Sequence, residues 1–158
     1  PYRILEVKQF KGQTAQEQAL YIKKVCARYN VTFIGIDNTG NGLAVSEHVS
    51  KFFPALTRLN YNPELKIRMG LRAKELFQKR RLHFDAGLLT VAKAFLSIKK
   101  ALTSGGGNKT LITSRSAENG HGDMAWAIMN GLERAPIVDI TDQSQHGATR
   151  SRIKVFKS

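Results

Sequence analysis

Two acidic residues of this chain stand where chemistry could use them. Asp37 closes the apolar run Val31 to Ile36 (VTFIGI) and precedes Asn38-Thr39-Gly40-Asn41-Gly42, a tight loop. A short run so uniformly apolar suits a strand buried on both faces, as in a parallel arrangement after a helical crossover. The Asp37 carboxylate should then project at the carboxyl end of the strands, the usual place for a site in an open α/β sheet. Asp123 follows the polar stretch Ser114 to Gly120 and, with His121 and Gly122, opens a helix over Met124 to Leu132. Each acid has a plain structural alternative, an Asx turn for Asp37 and an N-cap for Asp123. As a pair they suggest more. Hard divalent cations such as Mg²⁺ take carboxylate oxygens from separate elements together with phosphates and water. Two such ions about 4 Å apart can stabilise both the attacking and the leaving oxygen of a phosphodiester displacement.

Other chemistries fit the residues less well. Gly105-Gly106-Gly107-Asn108-Lys109-Thr110 lacks the spacing of a phosphate loop and precedes a strand instead of following one. Four histidines and one cysteine show no zinc-ligand spacing. Cys26 lies inside an amphipathic helical pattern and reads as a packing residue, and Ser46 and Ser116 have no nucleophile-elbow context.

The elements that must position the two acids follow from periodicity and caps. Tyr2 to Phe10 alternates as a strand ending at Gly12. Thr14 and Glu17 form a capping box for a helix running to about Tyr29. A helix is expected from about Leu43 to Phe53, closed by Pro54, then a strand over Leu56 to Tyr61. Pro63 opens a helix to Arg80 that carries Lys66, Arg68, Arg72, Lys74 and Lys79, read equally as a solvated face or a DNA-tracking one. Leu82 to Phe84 reads as a strand, and Leu88 to Leu102 as an amphipathic helix with Leu89, Ala92, Phe95, Leu96 and Leu102 facing the core. A flexible loop over 104–108 and a strand from Thr110 to Thr113 follow.

The bulk numbers bound the partners. A length of 158 residues with 42% hydrophobic content suits one globular domain. No apolar stretch approaches the roughly 20 residues that a membrane span needs. The opening Pro1-Tyr2-Arg3 has neither a starting Met nor a signal-peptide pattern and reads as a piece of a longer protein. A lone cysteine excludes an internal disulfide and fits a reducing cytoplasm. Twenty-five Lys plus Arg against 12 Asp plus Glu give a net charge of +13. That excess favours a nucleic-acid partner, because each neutralised phosphate releases counterions; a solvated basic surface is the alternative.

The segments FIGIDNTGNG (Phe33 to Gly42), RRLHFDAG (Arg80 to Gly87) and SRSAENGHGDMAWAIMNGLE (Ser114 to Glu133), in this order, resemble the nuclease half of tailed-phage large terminase subunits. The similarity runs from about Tyr2 to Pro136 and is greatest to the ATPase-subunit terminases of temperate phages and prophages. It implies an RNase H-like α/β fold, a mixed central sheet flanked by helices, over residues 1–135; beyond it the composition turns polar and basic, and 136–158 is expected as a basic tail, flexible or packed elsewhere. It also implies a two-metal endonuclease using Mg²⁺ or Mn²⁺. Asp37 and Asp123 match two of the family's three catalytic acids, and His121 would sit in or beside the site as a further metal ligand. Asp85 and Glu118 match less diagnostic acidic positions around the site. Lys109 and Arg115 are the first candidates to hold the DNA backbone. The implied partners are double-stranded phage DNA, the small terminase subunit, the portal, and an ATPase domain upstream in the same polypeptide. The implied place is the cytoplasm of the bacterial host.

One departure matters. The family's first acid lies on the opening strand of the fold, and Tyr2 to Phe10 resembles the strand after it. The opening strand is therefore expected upstream of Pro1, and without it the isolated chain is expected to be a weak or inactive nuclease. Glu6 is the nearest stand-in, although on the wrong strand. Three rivals stay open: an RNase H-like resolvase or transposase-type nuclease, which would use a Glu on the last helix; a non-catalytic DNA-binding or packaging module; and a structural fragment that needs its missing strand before it does anything. Glu133, the Glu at hand, lies roughly two to three turns past Asp123 at 3.6 residues per turn.

Overall fold

The computed structural model describes residues 1–103, 107, 109–113, 121–135 and 151–157, the side chains of His121 and of 151–157 excepted. In chain order the elements are β1 (Tyr2–Gln9), α1 (Ala15–Arg28), β2 (Gly35–Asp37), α2 (Asn41–Ser50), β3 (Thr57–Leu59) and α3 (Pro63–Gln78). There follow β4 (Leu82–Phe84), α4 (Leu89–Leu96), β5 (Ile98–Leu102), β6 (Lys109–Thr113), α5 (His121–Leu132) and β7 (Ser151–Lys157). Among the described residues the strands divide into three small sheets. β1 lies between β4 and β7, β2 pairs with β3, and β5 pairs with β6. The first two sheets are parallel and the third is an antiparallel ribbon.

Local signals explain most of this. Thr14 Oγ1 accepts from the Glu17 amide, while the Glu17 carboxylate accepts from the Thr14 amide at 2.7 Å, so the expected capping box starts α1. Asn62 caps α3 through the Leu65 amide, with Pro63 in the first turn, where its missing N–H costs nothing. Two cores result. Ile4, Met69, Leu76, Val91, Ile128 and Leu132 join β1, α3, α4 and α5. Ala19, Ile22, Val45, Val49 and Leu56 join α1 to α2 and the chain entering β3. Cys26 packs against this second cluster, and burial pushes its thiol above the ordinary value, as befits a packing residue.

Three expectations change. The helix read over Leu88 to Leu102 stops at Leu96, and Ile98–Leu102 is strand β5, paired antiparallel with β6. Pairing satisfies the backbone of that segment across the ribbon, and IKKAL has too little periodicity to resist it. Leu89, Leu96 and Leu102, expected in the core, are 65%, 81% and 66% exposed; Val91 and Ala94 point inward instead. The strand read over Val31 to Ile36 is ordered as β2 only from Gly35, because its partner β3 is itself three residues long. Within the basic tail, for which packing elsewhere was one expectation, Ser151–Lys157 forms β7 along the whole of β1, with a register irregularity between Ile4 and Glu6. Its β-branched and aromatic content (RIKVFK) suits that pairing. Arg115, Glu118 and residues 136–150 lie outside the described residues, and no described helix is long and apolar enough to cross a membrane.

Candidate metal-binding site

Asp37 is the last residue of β2. Its Oδ1 accepts from the Thr39 amide at 3.1 Å and the Thr39 hydroxyl at 2.8 Å. The Asx turn considered from sequence is therefore present, and it fixes the carboxylate's rotation. Because both bonds fall on Oδ1, Oδ2 is the oxygen available to a ligand. The glycines that follow make the turn possible. Gly40 has φ 52°, and a Cβ on Gly42 would strike the Asp37 carbonyl oxygen, so α2 can start directly behind the acid only with glycine at both places.

Asp123 lies exposed in the first turn of α5, where the helix dipole favours a carboxylate. A Cβ on Gly122 would overlap the Thr113 side chain, so this turn presses onto the end of β6. Trp126, one turn along, donates from Nε1 to Thr113 Oγ1 at 3.1 Å and locks the same junction.

A residue that sequence reading missed joins the elements that carry the two acids. Tyr61 follows β3 by two positions, and its hydroxyl donates to Asn130 Oδ1 of α5 at 2.6 Å. Burial pushes the phenol far above the ordinary tyrosine value. The negative charge of Asp37 adds to that rise, the bond to Asn130 opposes it, and Asp123 adds a smaller push. The helix approaches β2 closely here, with the Asn130 carbonyl at 3.0 Å from where a Gly35 Cβ would lie. The Tyr61 and Trp126 rings are 5.7 Å apart, and the Lys66 ammonium lies within 5.9 Å of the first ring centroid and 5.6 Å of the second. The available signals were Asn130 itself, a polar residue inside the apolar AWAIMNGL two turns past Asp123, and an aromatic just beyond a strand.

The remaining candidates sit elsewhere or in local roles. Asp85 is exposed after β4, where its Oδ1 accepts from the Gly87 amide at 2.8 Å. Glu6 pairs with Arg28 of α1 at 3.1 Å. Glu133, the acid that a resolvase-type site would use, is held by Arg68 through Nη2 at 2.6 Å and Nε at 3.2 Å. His121 begins α5, and Glu118 and Arg115 lie outside the described residues. Lys109 opens β6, exposed, with Lys99 and Lys100 exposed on the facing strand β5.

The basic face of α3 is largely committed to the fold. Besides Lys66 and Arg68, the Arg72 guanidinium donates to the carbonyls of Glu133 at 2.8 Å and Ala135 at 2.7 Å, and more weakly to Leu132. A cation there satisfies carbonyls that a helix C-terminus leaves open.

Among the described residues no group of three or more His, Cys, Asp or Glu side chains comes together. The donor set is two carboxylates in an open, water-accessible place. That fits Mg²⁺ or Mn²⁺, hard ions held by one or two carboxylates plus water and phosphate oxygens. It does not make the closed four-ligand shell of a structural zinc.

Residues 1–135 match the family model described as the terminase RNase H-like domain. The chain is 40% identical over 136 residues to the terminase ATPase subunit of Escherichia phage P2, an alignment spanning 86% of this chain and 23% of that protein. It is 34% identical over 139 residues to the probable terminase ATPase subunit of Haemophilus phage HP1 (strain HP1c1), spanning 87% of this chain and again 23% of the relative. The chain therefore covers about a quarter of the length of the curated relatives it matches. Its fold is similar to the large terminase nuclease of the thermophilic phage G20c, solved with bound cobalt. The TM-score is 0.58 at 17% identity, over 72% of this chain and 60% of that one.

Proposed function

Because the chain belongs to the terminase RNase H-like domain family and has that nuclease fold, we propose that it is the metal-dependent endonuclease domain of a phage large terminase subunit. In this reading it cleaves concatemeric viral DNA during packaging. The observation that carries the proposal is the Tyr61–Asn130 hydrogen bond, which ties the β2–β3 pair carrying Asp37 to α5, the helix that carries Asp123.

Asp37 Oδ2 and the Asp123 carboxylate would hold the ion, Mg²⁺ or Mn²⁺ in a two-metal arrangement, with His121 as a further ligand. What bound divalent ions supply there is charge neutralisation on the scissile phosphate and a more acidic water. The chain's own residues do the positioning. Thr39 fixes the rotation of Asp37, and the Thr113–Trp126 junction fixes the first turns of α5 that carry Asp123. The bound cobalt of the G20c nuclease supports a divalent ion as cofactor. Asp85 and Glu118 are kept as candidates around the site. Residues 136–158 would serve as a basic extension of the 1–135 domain.

Lys109 and Arg115 would hold the DNA backbone without reading sequence. The partners would be double-stranded phage DNA, the small terminase subunit, the portal and an ATPase domain upstream in the same polypeptide. All would act in the cytoplasm of the bacterial host. Lys109→Ala is expected to weaken duplex binding equally across sequences and to lower the log K against log salt slope by about 0.9, one phosphate contact. Fluorescence anisotropy at several salt concentrations reads this, and an unchanged slope would remove Lys109 from the interface.

Incubation of supercoiled plasmid with the chain in Mg²⁺ or Mn²⁺ tests the function itself. Nicking that EDTA abolishes, weak for the chain alone and stronger with the expected upstream strand restored, is the expected result. The second reading, a non-catalytic DNA-binding module, is favoured by the net charge of +13 alone. It predicts metal-independent binding and no nicking.

A further inference from the structure

Tyr61 and Asn130 have no part in the chemistry described so far, yet they join the two elements that carry the acids. Asp37 pairs in register with Leu59 of β3, and Tyr61 is two residues beyond Leu59. Asn130 is seven residues after Asp123, two helical turns along, so both lie toward one side of α5. The hydrogen bond between them, 2.6 Å long and partly buried, therefore runs from the β2–β3 pair to α5. The α5 backbone also packs closely on β2 there, with the Asn130 carbonyl 3.0 Å from where a Gly35 Cβ would lie. Packing resists compression better than sliding, whereas a short hydrogen bond fixes one distance.

We propose that the Tyr61–Asn130 hydrogen bond is a positioning device that sets the separation of Asp37 and Asp123 and thereby the affinity of the site for a divalent ion. The proposal rests on the metal-site reading above. Tyr61 is a positioning residue, acting through the acids and not on the substrate. The phenol suits the task because it keeps its proton through the working pH range. Burial and the Asp37 charge both oppose ionisation, so Tyr61 remains a donor to Asn130. Its ring is fixed independently by Trp126 and Lys66, so removing the hydroxyl alone leaves the aromatic packing in place.

The test is Mn²⁺ binding to the 158-residue chain by calorimetry, with thermal melting alongside, for the parent, Asp37→Asn, Tyr61→Phe, Asn130→Ala and the Tyr61→Phe/Asn130→Ala pair. Groups that orient metal ligands typically change affinity 10- to 100-fold when removed. Tyr61→Phe is expected to weaken Mn²⁺ binding about tenfold, at the low end of that range, while melting within a few degrees of the parent. The double variant should bind no more weakly than the weaker single one, because both substitutions break the same bond. Parent and Tyr61→Phe binding Mn²⁺ equally, with Asp37→Asn not binding, would overturn the positioning role and leave the metal site standing. A parent chain without Asp37-dependent Mn²⁺ binding would overturn both. A lower melting temperature with unchanged Mn²⁺ affinity would make the bond merely structural, and that too contradicts the proposal.

Discussion

Asp37→Asn should lower metal-dependent plasmid nicking by on the order of 10²–10³, the loss typical when one preorganised group stabilising reaction charge is removed. The substitution separates two roles that the sequence left open. Asparagine forms Asx turns as well as aspartate, and its amide oxygen can still accept from the Thr39 amide and hydroxyl that now bond Asp37 Oδ1. If the carboxylate merely closes the turn, Asp37→Asn should be silent in melting, in DNA binding and in nicking. If it holds a divalent ion, folding and DNA binding persist while nicking and Mn²⁺ binding fail. A second readout follows from Tyr61. Losing the Asp37 charge removes one of the influences that raise the phenol, so its ionisation should move back toward the ordinary tyrosine range in an ultraviolet pH titration. Nicking equal to the parent's would take Asp37 out of the chemistry.

Arg72→Ala should destabilise the chain by about 3 kcal/mol, because hydrogen bonds to a charged group contribute roughly 1.5–3 kcal/mol each and their loss leaves carbonyls unpaired. The two short bonds to the Glu133 and Ala135 carbonyls carry most of this, the 3.4 Å contact to Leu132 little. At about 2–4 °C per kcal/mol for a chain of this size class, the melting temperature should fall by about 6–12 °C. Arg72→Lys should recover only part of the loss, since a strongly hydrated ammonium on a different stem must take the place of the Nη1 that now reaches both carbonyls. The salt dependence of DNA binding should be untouched. If instead Arg72→Ala melts like the parent and binds DNA more weakly, the basic face of α3 tracks DNA after all. The neighbouring Arg68–Glu133 pair is more exposed, and an ion pair of that kind is worth about 0–1 kcal/mol.

What the sequence disclosed and what it hid divide along contact distance. The Thr14–Glu17 box and Pro63 in the first turn of α3 rest on neighbours a few residues apart, where residue types speak directly. Asp37 and Asp123 were legible for the same reason, each standing at the end or start of a readable element. The bond that joins their elements spans 69 residues, and nothing local in YN or MNG announces it. Arg72 reaches carbonyls 60 to 63 residues away, so from sequence it looked like one more charge on a basic helix. The β5–β6 ribbon was hidden differently. Ile98 to Leu102 favours neither period, and only its antiparallel partner at Lys109–Thr113 decides for strand. β7 shows the same effect on β1, where a parallel neighbour more than 140 residues away organises a segment that composition alone marks as polar and basic.

The central claim is that Asp37 and Asp123 share a divalent ion. It is tested most directly by anomalous diffraction from crystals of the chain soaked in Mn²⁺. The expected result is an anomalous peak with oxygens of both carboxylates within about 2.0–2.6 Å, the range of hard-cation coordination. A Mn²⁺ ion bound away from these two acids, or to one of them alone, would contradict it.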